Sequence, residues 1–255
     1  MAGKRVIYIG YDPSEDTAWR VAQYSIKRRL SKHIPIYGLY LSELQARGWY
    51  TRPTRRDDSG LYDELSVTKG YDGLMSTEFA ISRFFVPRLC NYEAGMLAMF
   101  VDCDILARCD FNEIFDMCDP RDAISCVQHR HLPLHYTKMD GLPQTQYARK
   151  NWSSMMVFSC DHPVHKNLEA VLNEWPGRDL HALAWCPTHL IGPLPPTYNH
   201  LVGDAVHDPN AKVVHFTNGG PWHKEHSDLF KEEWLAEREH MFAAARGRMP
   251  ELDNA

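Results

Sequence analysis

The chain has 255 residues, of which 44% are apolar and 24% charged, with a formal net charge of −5 and a pI near 6.3. That length suits one large α/β domain, or at most a core with a small appendage, and the composition is that of an ordinary globular enzyme. The acidic balance argues against nucleic acid or an anionic membrane as partner, since either would require a clustered excess of lysine and arginine.

Met1-Ala-Gly-Lys-Arg5 leads directly into an apolar strand, without a signal-peptide core, and no later run is long enough to span a bilayer. A cytoplasmic protein with no transmembrane segment is expected. Seven cysteines stand at 90, 103, 109, 118, 126, 160 and 186, an odd number with no Cys-x-x-Cys pair. This argues against a disulfide framework and a structural zinc site, and reduced thiols follow. Without secretion, the sequon at Asn151-Trp152-Ser153 would be idle.

Arg5 to Gly10 reads as a buried strand ending in glycine. After a loop, Thr17 to Leu30 reads as a helix with Ala18, Val21, Ala22, Ser25 and Ile26 on one face, and Ile34 to Leu41 as a second strand. Such a βαβ opening favours a parallel sheet with ligands beyond the carboxyl ends of its strands. Arg47 to Gly73 is polar and reads as a solvated surface excursion. Ser76 to Val86 reads as a helix stopped by Pro87. Strands follow over Gly95–Val101, Asp122–Gln128 and Ser153–Cys160, with a helix over Pro163–Trp175. Pro187 to Tyr198 is expected to be irregular on its prolines, Lys212 to Phe216 to be a short strand, and His226 to Arg246 a terminal helix with Phe230, Trp234, Met241 and Ala245 on its stripe. No internal repeat is visible.

The strand Met99-Phe100-Val101 runs into Asp102-Cys103-Asp104. Two carboxylates at a strand end can share a divalent cation, which in turn neutralises a diphosphate. Three chemistries use such a pair. A nucleophilic-aspartate phosphatase usually opens its chain with the motif, whereas here a βαβ unit precedes it. A polymerase-like two-metal site lacks its basic surface. Sugar transfer from a nucleotide-sugar fits the order of the whole chain.

That order is carried by Ile9-Gly10-Tyr11-Asp12 with Ala18-Trp19, by Ser76 to Pro87 with Arg83, by Asp102-Cys103-Asp104, by Trp152 to Phe158, by Asp179-Leu180-His181, by Leu194 to Asn199, and by Val214-His215-Phe216-Thr217-Asn218-Gly219-Gly220-Pro221-Trp222. In these motifs the chain resembles the GT-A glycosyltransferases, most closely glycosyltransferase family 8, the group of glycogenin and the bacterial galactosyltransferases. The resemblance implies an α/β fold of the GT-A type, a Rossmann-like nucleotide-diphospho-sugar transferase with a mixed, mainly parallel central sheet. One domain would span 1–255, with the excursion at 47–73 and the terminal helix at 226–246.

The resemblance also implies site roles. Asp102, Asp104 and His215 would hold Mn²⁺ or Mg²⁺. Gly10, Tyr11, Asp12, Trp19, Arg83, Asp102 and Gly219 would form the pocket of a nucleotide-sugar donor, UDP-linked on the family pattern. Asp179 would be the catalytic carboxylate near the anomeric carbon, and the outcome would be retention. The acceptor would be a glycan, lipid or protein. His129-Arg130-His131 and His135 could meet it, and Trp152 could stack on a sugar. The chain departs from the family pattern at Ser153, Ser154 and Met155, where the family has Asn and then Ser/Ala-Gly, and at Gly220, where many members carry lysine. These departures motivate an alternative, a non-catalytic glycan- or protein-binding module on the same scaffold.

Overall fold

A computed structural model describes residues 3–58, 60–129 and 149–247. Its strands, in chain order, are β1 (Arg5–Gly10), β2 (Ile36–Leu39), β3 (Thr54–Asp57), β4 (Gly60–Asp63), β5 (Leu74–Met75), β6 (Leu97–Val101), β7 (Ile105–Ala107), β8 (Ile124–Val127), β9 (Met155–Ser159), β10 (Ile191–Leu194), β11 (His200–Leu201) and β12 (Val213–His215). Six of them form a central sheet in the order β10-β8-β9-β6-β1-β2. Its pairs β1–β2, β1–β6 and β8–β10 are parallel, while β9 runs antiparallel to both β6 and β8. Strands covered on both faces need unbroken apolar runs rather than alternation. β8 and β9 are buried at every residue, and β6 at all but its first.

The opening is the βαβ unit expected. A helix over Asp16–Lys27 buries Ala18, Val21, Ala22, Ser25 and Ile26, the helical stripe visible in the sequence. The terminal helix begins at Lys231, after Phe230 in the left-handed region at φ 59°. It turns Trp234 and Glu237 inward instead of the whole expected stripe, and Ala245 is exposed. Glu237 is buried because Arg28 and Arg29 of the first helix bind both its oxygens at 2.5–3.1 Å. The paired arginines also hold its carboxyl below the usual range, against the opposing effect of burial.

Three expectations change. The helix expected to stop before Pro87 instead continues. It passes through a 3-10 turn at Arg83–Phe85 into Val86–Leu89, where Pro87 occupies the first turn. A first-turn N–H has no helical partner, so proline costs little there. The proline-rich segment from 187 contains β10, an ordered edge strand of the central sheet, with Pro193 exposed. An edge strand tolerates a residue that cannot donate.

The third change concerns the polar segment at 47–73. Its β4 pairs with β3 on one side and β5 on the other in a small antiparallel sheet, and its inner side is buried. Arg52 and Asp63 have side chains 0% and 2% exposed and form a two-pronged ion pair. Arg52 Nη1 donates to the carbonyls of Leu172 and Trp175, both at 2.7 Å. Asp63 accepts from the Ser66 hydroxyl at 2.5 Å, and Ser66 Oγ accepts from Gly177 N at 2.9 Å. The excursion is therefore tied to the segment at 172–177. Removing one partner of a buried pair strands a charge in low dielectric. Asp63→Ala should lower unfolding free energy by about 3 kcal/mol or more in urea titration. A loss below about 1 kcal/mol, the scale of an exposed pair, would refute the role given to this contact.

Candidate active site

Asp102-Cys103-Asp104 spans the gap between β6 of the central sheet and β7 of a second, three-stranded sheet ordered β11-β12-β7. β12 lies antiparallel to β7 with His215 opposite Ile105, and Phe216 N donates to Asp104 O at 2.9 Å. That register brings a histidine from late in the chain to the aspartate pair. Asp102 N donates to Ser154 O at 2.9 Å, which fixes the first aspartate to the start of β9. Cys103 is buried, and it lines a cavity of about 330 Å³ together with both flanking aspartates. That volume falls within the range of small-ligand pockets.

His215 Nε2 lies 3.1 Å from Asp104 Oδ1 and 3.8 Å from Asp102 Oδ2. One ligand atom from each of the three residues falls within 4.8 Å of the others. The tautomer follows from the surrounding hydrogen bonds. The Ser154 hydroxyl donates to Asn151 O at 2.8 Å, so its oxygen accepts from Asn199 Nδ2 at 2.9 Å. Asn199 Nδ2 also faces His129 Nε2 at 3.1 Å. The Asn199 amide is thereby oriented with Oδ1 toward His215 Nδ1, 2.9 Å away. Nδ1 must then carry the proton, and Nε2 of the neutral ring presents a lone pair to a carboxylate oxygen.

Two acceptors at such a separation repel unless a proton or a cation lies between them. Burial disfavours the charged imidazolium, but Asp104 and Asp102 outweigh it and raise the His215 pKa above the ordinary value. Burial likewise opposes ionisation of Asp104, and His215 outweighs it, so that pKa is lowered. Two hard carboxylates and one imidazole nitrogen suit a divalent first-row ion, and Asn199 supplies the outer hydrogen bond such a histidine usually has. These residues fit a metal.

Arg83 also lines the cavity. Nη1 lies 2.9 Å from Asp102 Oδ1 and donates to Ser153 O at 2.9 Å, while Nε donates to the carbonyl of Ala80 at 3.0 Å. The arginine is thus held beside the aspartate pair rather than in solvent.

Other expected residues lie elsewhere. Asp12 is buried with both oxygens engaged: Oδ1 accepts from Ser14 N at 2.9 Å and Oδ2 from Glu78 N at 2.8 Å. It ties the first loop to the helix region near 78 and is not part of the cavity wall. Tyr11 packs on Tyr40 and Trp19, with ring centres 4.8 and 5.7 Å apart, outside the wall. Gly10 is needed because the Phe79 ring lies where its Cβ would be. Gly219 has φ +103°, a conformation suited to glycine. Asp179 points to Arg178, 3.4 Å away, and does not line the cavity; its short helix, Gly177–His181, presents Gly177, Arg178 and His181 instead. Trp152 Nε1 donates to His129 O at 2.9 Å, and its ring packs on the core. Met155 is buried in the core, and Ser153 and Ser154 face the cavity. Arg130, His131 and His135 lie outside the described residues.

The wall residues Glu15, Lys150 and Arg178 carried no sequence signal of their own, and His181 was visible only as the end of a motif. Asn199, behind the wall, was likewise visible only as the end of a motif. Lys150, 6% exposed, gave no hint of burial in a polar stretch.

No established family profile matches the chain. It is 40% identical to Protein CDI of Arabidopsis thaliana over 240 residues, covering 91% of this chain and 85% of that one. The chain belongs to the Protein CDI family. That name carries no chemistry, so the fold must supply it. The bifunctional glycosyltransferase WbbM superposes with a TM-score of 0.61 at 15% identity, over 95% of this chain and 52% of its own; the chain thus spans about half of WbbM. The galactosyltransferase LgtC, solved with donor and acceptor sugar analogues, gives 0.57 at 14% identity over 95% and 99%. GlyE of Streptococcus pneumoniae TIGR4 gives 0.55 at 11% identity over 96% and 64%. The CDI-family chain therefore has the GT-A glycosyltransferase fold. No helix among the described residues is long and apolar enough to cross a membrane.

A metal at Nε2 competes with a proton. Mn²⁺ affinity should fall as pH drops through the raised His215 pKa, approaching tenfold per unit on the acid side. His215→Gln should bind more weakly and lose that part of the slope. Asn199→Ala, which frees the ring, should weaken Mn²⁺ by about tenfold or more. Calorimetry from pH 6 to 8 checks all three. A His215→Gln protein with an unchanged slope would remove His215 from the ligand set.

Proposed function

We propose that this CDI-family protein is a metal-dependent glycosyltransferase, nearest in kind to glycosyltransferase family 8. It would move a hexose from a nucleotide-sugar, UDP-linked as the simplest case, to a glycan, lipid or protein acceptor with retention. The observation that carries this reading is His215 Nε2, set by Asn199 to face Asp104 at the strand end of a GT-A fold. The sugar analogues bound by LgtC support the same substrate class.

Asp102, Asp104 and His215 would hold the ion, and its imidazole ligand favours Mn²⁺ over Mg²⁺. When bound, the ion supplies charge neutralisation for a departing diphosphate. Arg83, fixed beside Asp102, adds a second positive charge on the same side of the cavity. Lys150 adds a buried ammonium to the same wall. Ser153, Ser154, His181 and Arg178 offer hydrogen bonds to sugar hydroxyls, with Ser153 Oγ already 2.8 Å from His181 Nδ1. Asp179 would have to leave Arg178 to act at the anomeric carbon, so the sugar-facing role passes to its neighbours on that helix. Met155, a departure that suggested a non-catalytic module, lies in the core and leaves the sugar wall to two small serines. Buried thiols without disulfide partners suit a reducing compartment, and a cytoplasmic site of action is the corresponding reading.

UDP with Mn²⁺ should raise the melting temperature by several degrees, and Asp102→Asn should abolish the rise. Wild-type protein incubated with Mn²⁺ and UDP-hexoses should release free sugar slowly, and Asp102→Asn should not. A melting curve unmoved by UDP, GDP and CMP, together with no sugar release, would overturn the reading.

A further inference from the structure

Glu15 lines the same cavity as Asp102, Asp104 and His215, yet it belongs to the loop after β1. Its side chain is 15% exposed. Both its oxygens meet one late segment. Trp222 Nε1–H donates to Oε2 across 207 residues of sequence, and His223 Nε2 lies 2.9 Å from Oε1. This segment directly follows the ligand histidine, and its Thr217 and Asn218 form part of the cavity wall.

The location is unfavourable for a carboxylate. Burial raises the Glu15 pKa, the like charge of Asp104 raises it further, and His223 and Trp222 act against both. A glutamate in a surface loop could avoid that cost by turning to water. Here it stays, with both oxygens occupied by loop donors. The segment is fixed from its other side as well. The Trp222 ring packs against Trp234 of the terminal helix and Phe216, with centres 5.1 and 5.7 Å apart. Asn218 Nδ2 donates to Asp204 Oδ1 at 2.9 Å. Gly219 N returns to Phe216 O at 2.8 Å and His223 N to Gly220 O at 2.9 Å, which makes two successive tight turns. The ring of Trp222 lies against Gly220, where a Cβ would clash with it.

We infer that Glu15 is a positioning residue: it clasps the segment from Thr217 to Lys224 over the metal side of the cavity before any nucleotide binds. Its value for the donor rests on the transfer reading above. A diphosphate bound through a cation at Asp102 and Asp104 would share its cavity with Thr217 and Asn218 of this segment. A segment already in place loses no conformational freedom when the diphosphate arrives. The clasp replaces ordering by the donor with ordering by the protein's own carboxylate.

Hydrogen exchange read by mass spectrometry on wild type, Glu15→Ala and Trp222→Phe tests this without any substrate. Trp222→Phe keeps a ring on Trp234 and removes the donor, so it guards against loss of fold. Both variants should exchange the amides of 217–224 at least tenfold faster, with protection of β6 and β9 unchanged. Calorimetry supplies the second readout. Mn²⁺ alone should bind Glu15→Ala within about twofold of wild type, while UDP in Mn²⁺ should bind about tenfold more weakly. Unchanged exchange in both variants overturns the clasp. Faster exchange with unchanged UDP affinity overturns the positioning role. A wild-type protein that binds no nucleotide sinks the transfer reading instead, and the exchange data then decide the clasp by themselves.

Discussion

The antiparallel pairing of β12 with β7 is the constraint on which the site depends. β7 begins one residue after Asp104, and β12 ends at His215. With His215 opposite Ile105, the imidazole has to arrive at the aspartate pair. A slip of one residue would turn His215 to the other face of this small sheet and dissolve the constellation. The pairing is protected by burial. All three residues of both strands are buried, and a second apolar cluster, containing Leu106, Val214, Phe216 and Trp234, packs around them. The chemistry therefore stands on a strand register, and the register stands on apolar packing.

Charge organises what the register assembles. Of the five carboxylates that line the cavity, Glu15, Asp102 and Asp104 crowd around Cys103. Such a group persists only if each member has compensation, because like charges at short range in a poorly solvated pocket repel strongly. Arg83 faces Asp102, His215 faces Asp104, and Trp222 with His223 face Glu15. Each partner comes from a different stretch of the chain. The acidic wall thus acts as a set of attachment points that draw the helix region near 83, strand β12 and the late segment to one place.

This distribution explains what could be read from the sequence. The βαβ opening and the strand into Asp102 were legible because apolar periodicity is local. His215 was legible through its surrounding glycine and aromatic pattern. The burial of Arg52 and Asp63 was not, because a charged residue in a polar run looks solvated until its partner is known, and the 172–177 segment that receives Arg52 lies far away. Asp12 is a related case. An aspartate after a first strand can meet a nucleotide or cap a turn equally well, and here Ser14 and Glu78 N–H groups already occupy it. The orientation of Asp179 was not legible either, because helix phase decides which residue faces a cavity, and on a five-residue helix two positions separate Asp179 from the cavity-lining His181. Glu15 carried no signal at all, since its meaning lies wholly in Trp222 and His223.

Asn199 links these parts into one mechanical unit. Its carbonyl sets the tautomer of His215, its amide nitrogen holds Ser154, and the backbone oxygen of Ser154 receives the N–H of Asp102. His215, the serines of the cavity wall and the first aspartate are therefore coupled through a single buried amide. An error in that amide's orientation would be felt at all three, because swapping its oxygen and nitrogen would place donor against donor at His215 and acceptor against acceptor at Ser154. Such a residue need not line the cavity to govern its wall. Its burial, at 1% exposure, shields that orientation from competition by water.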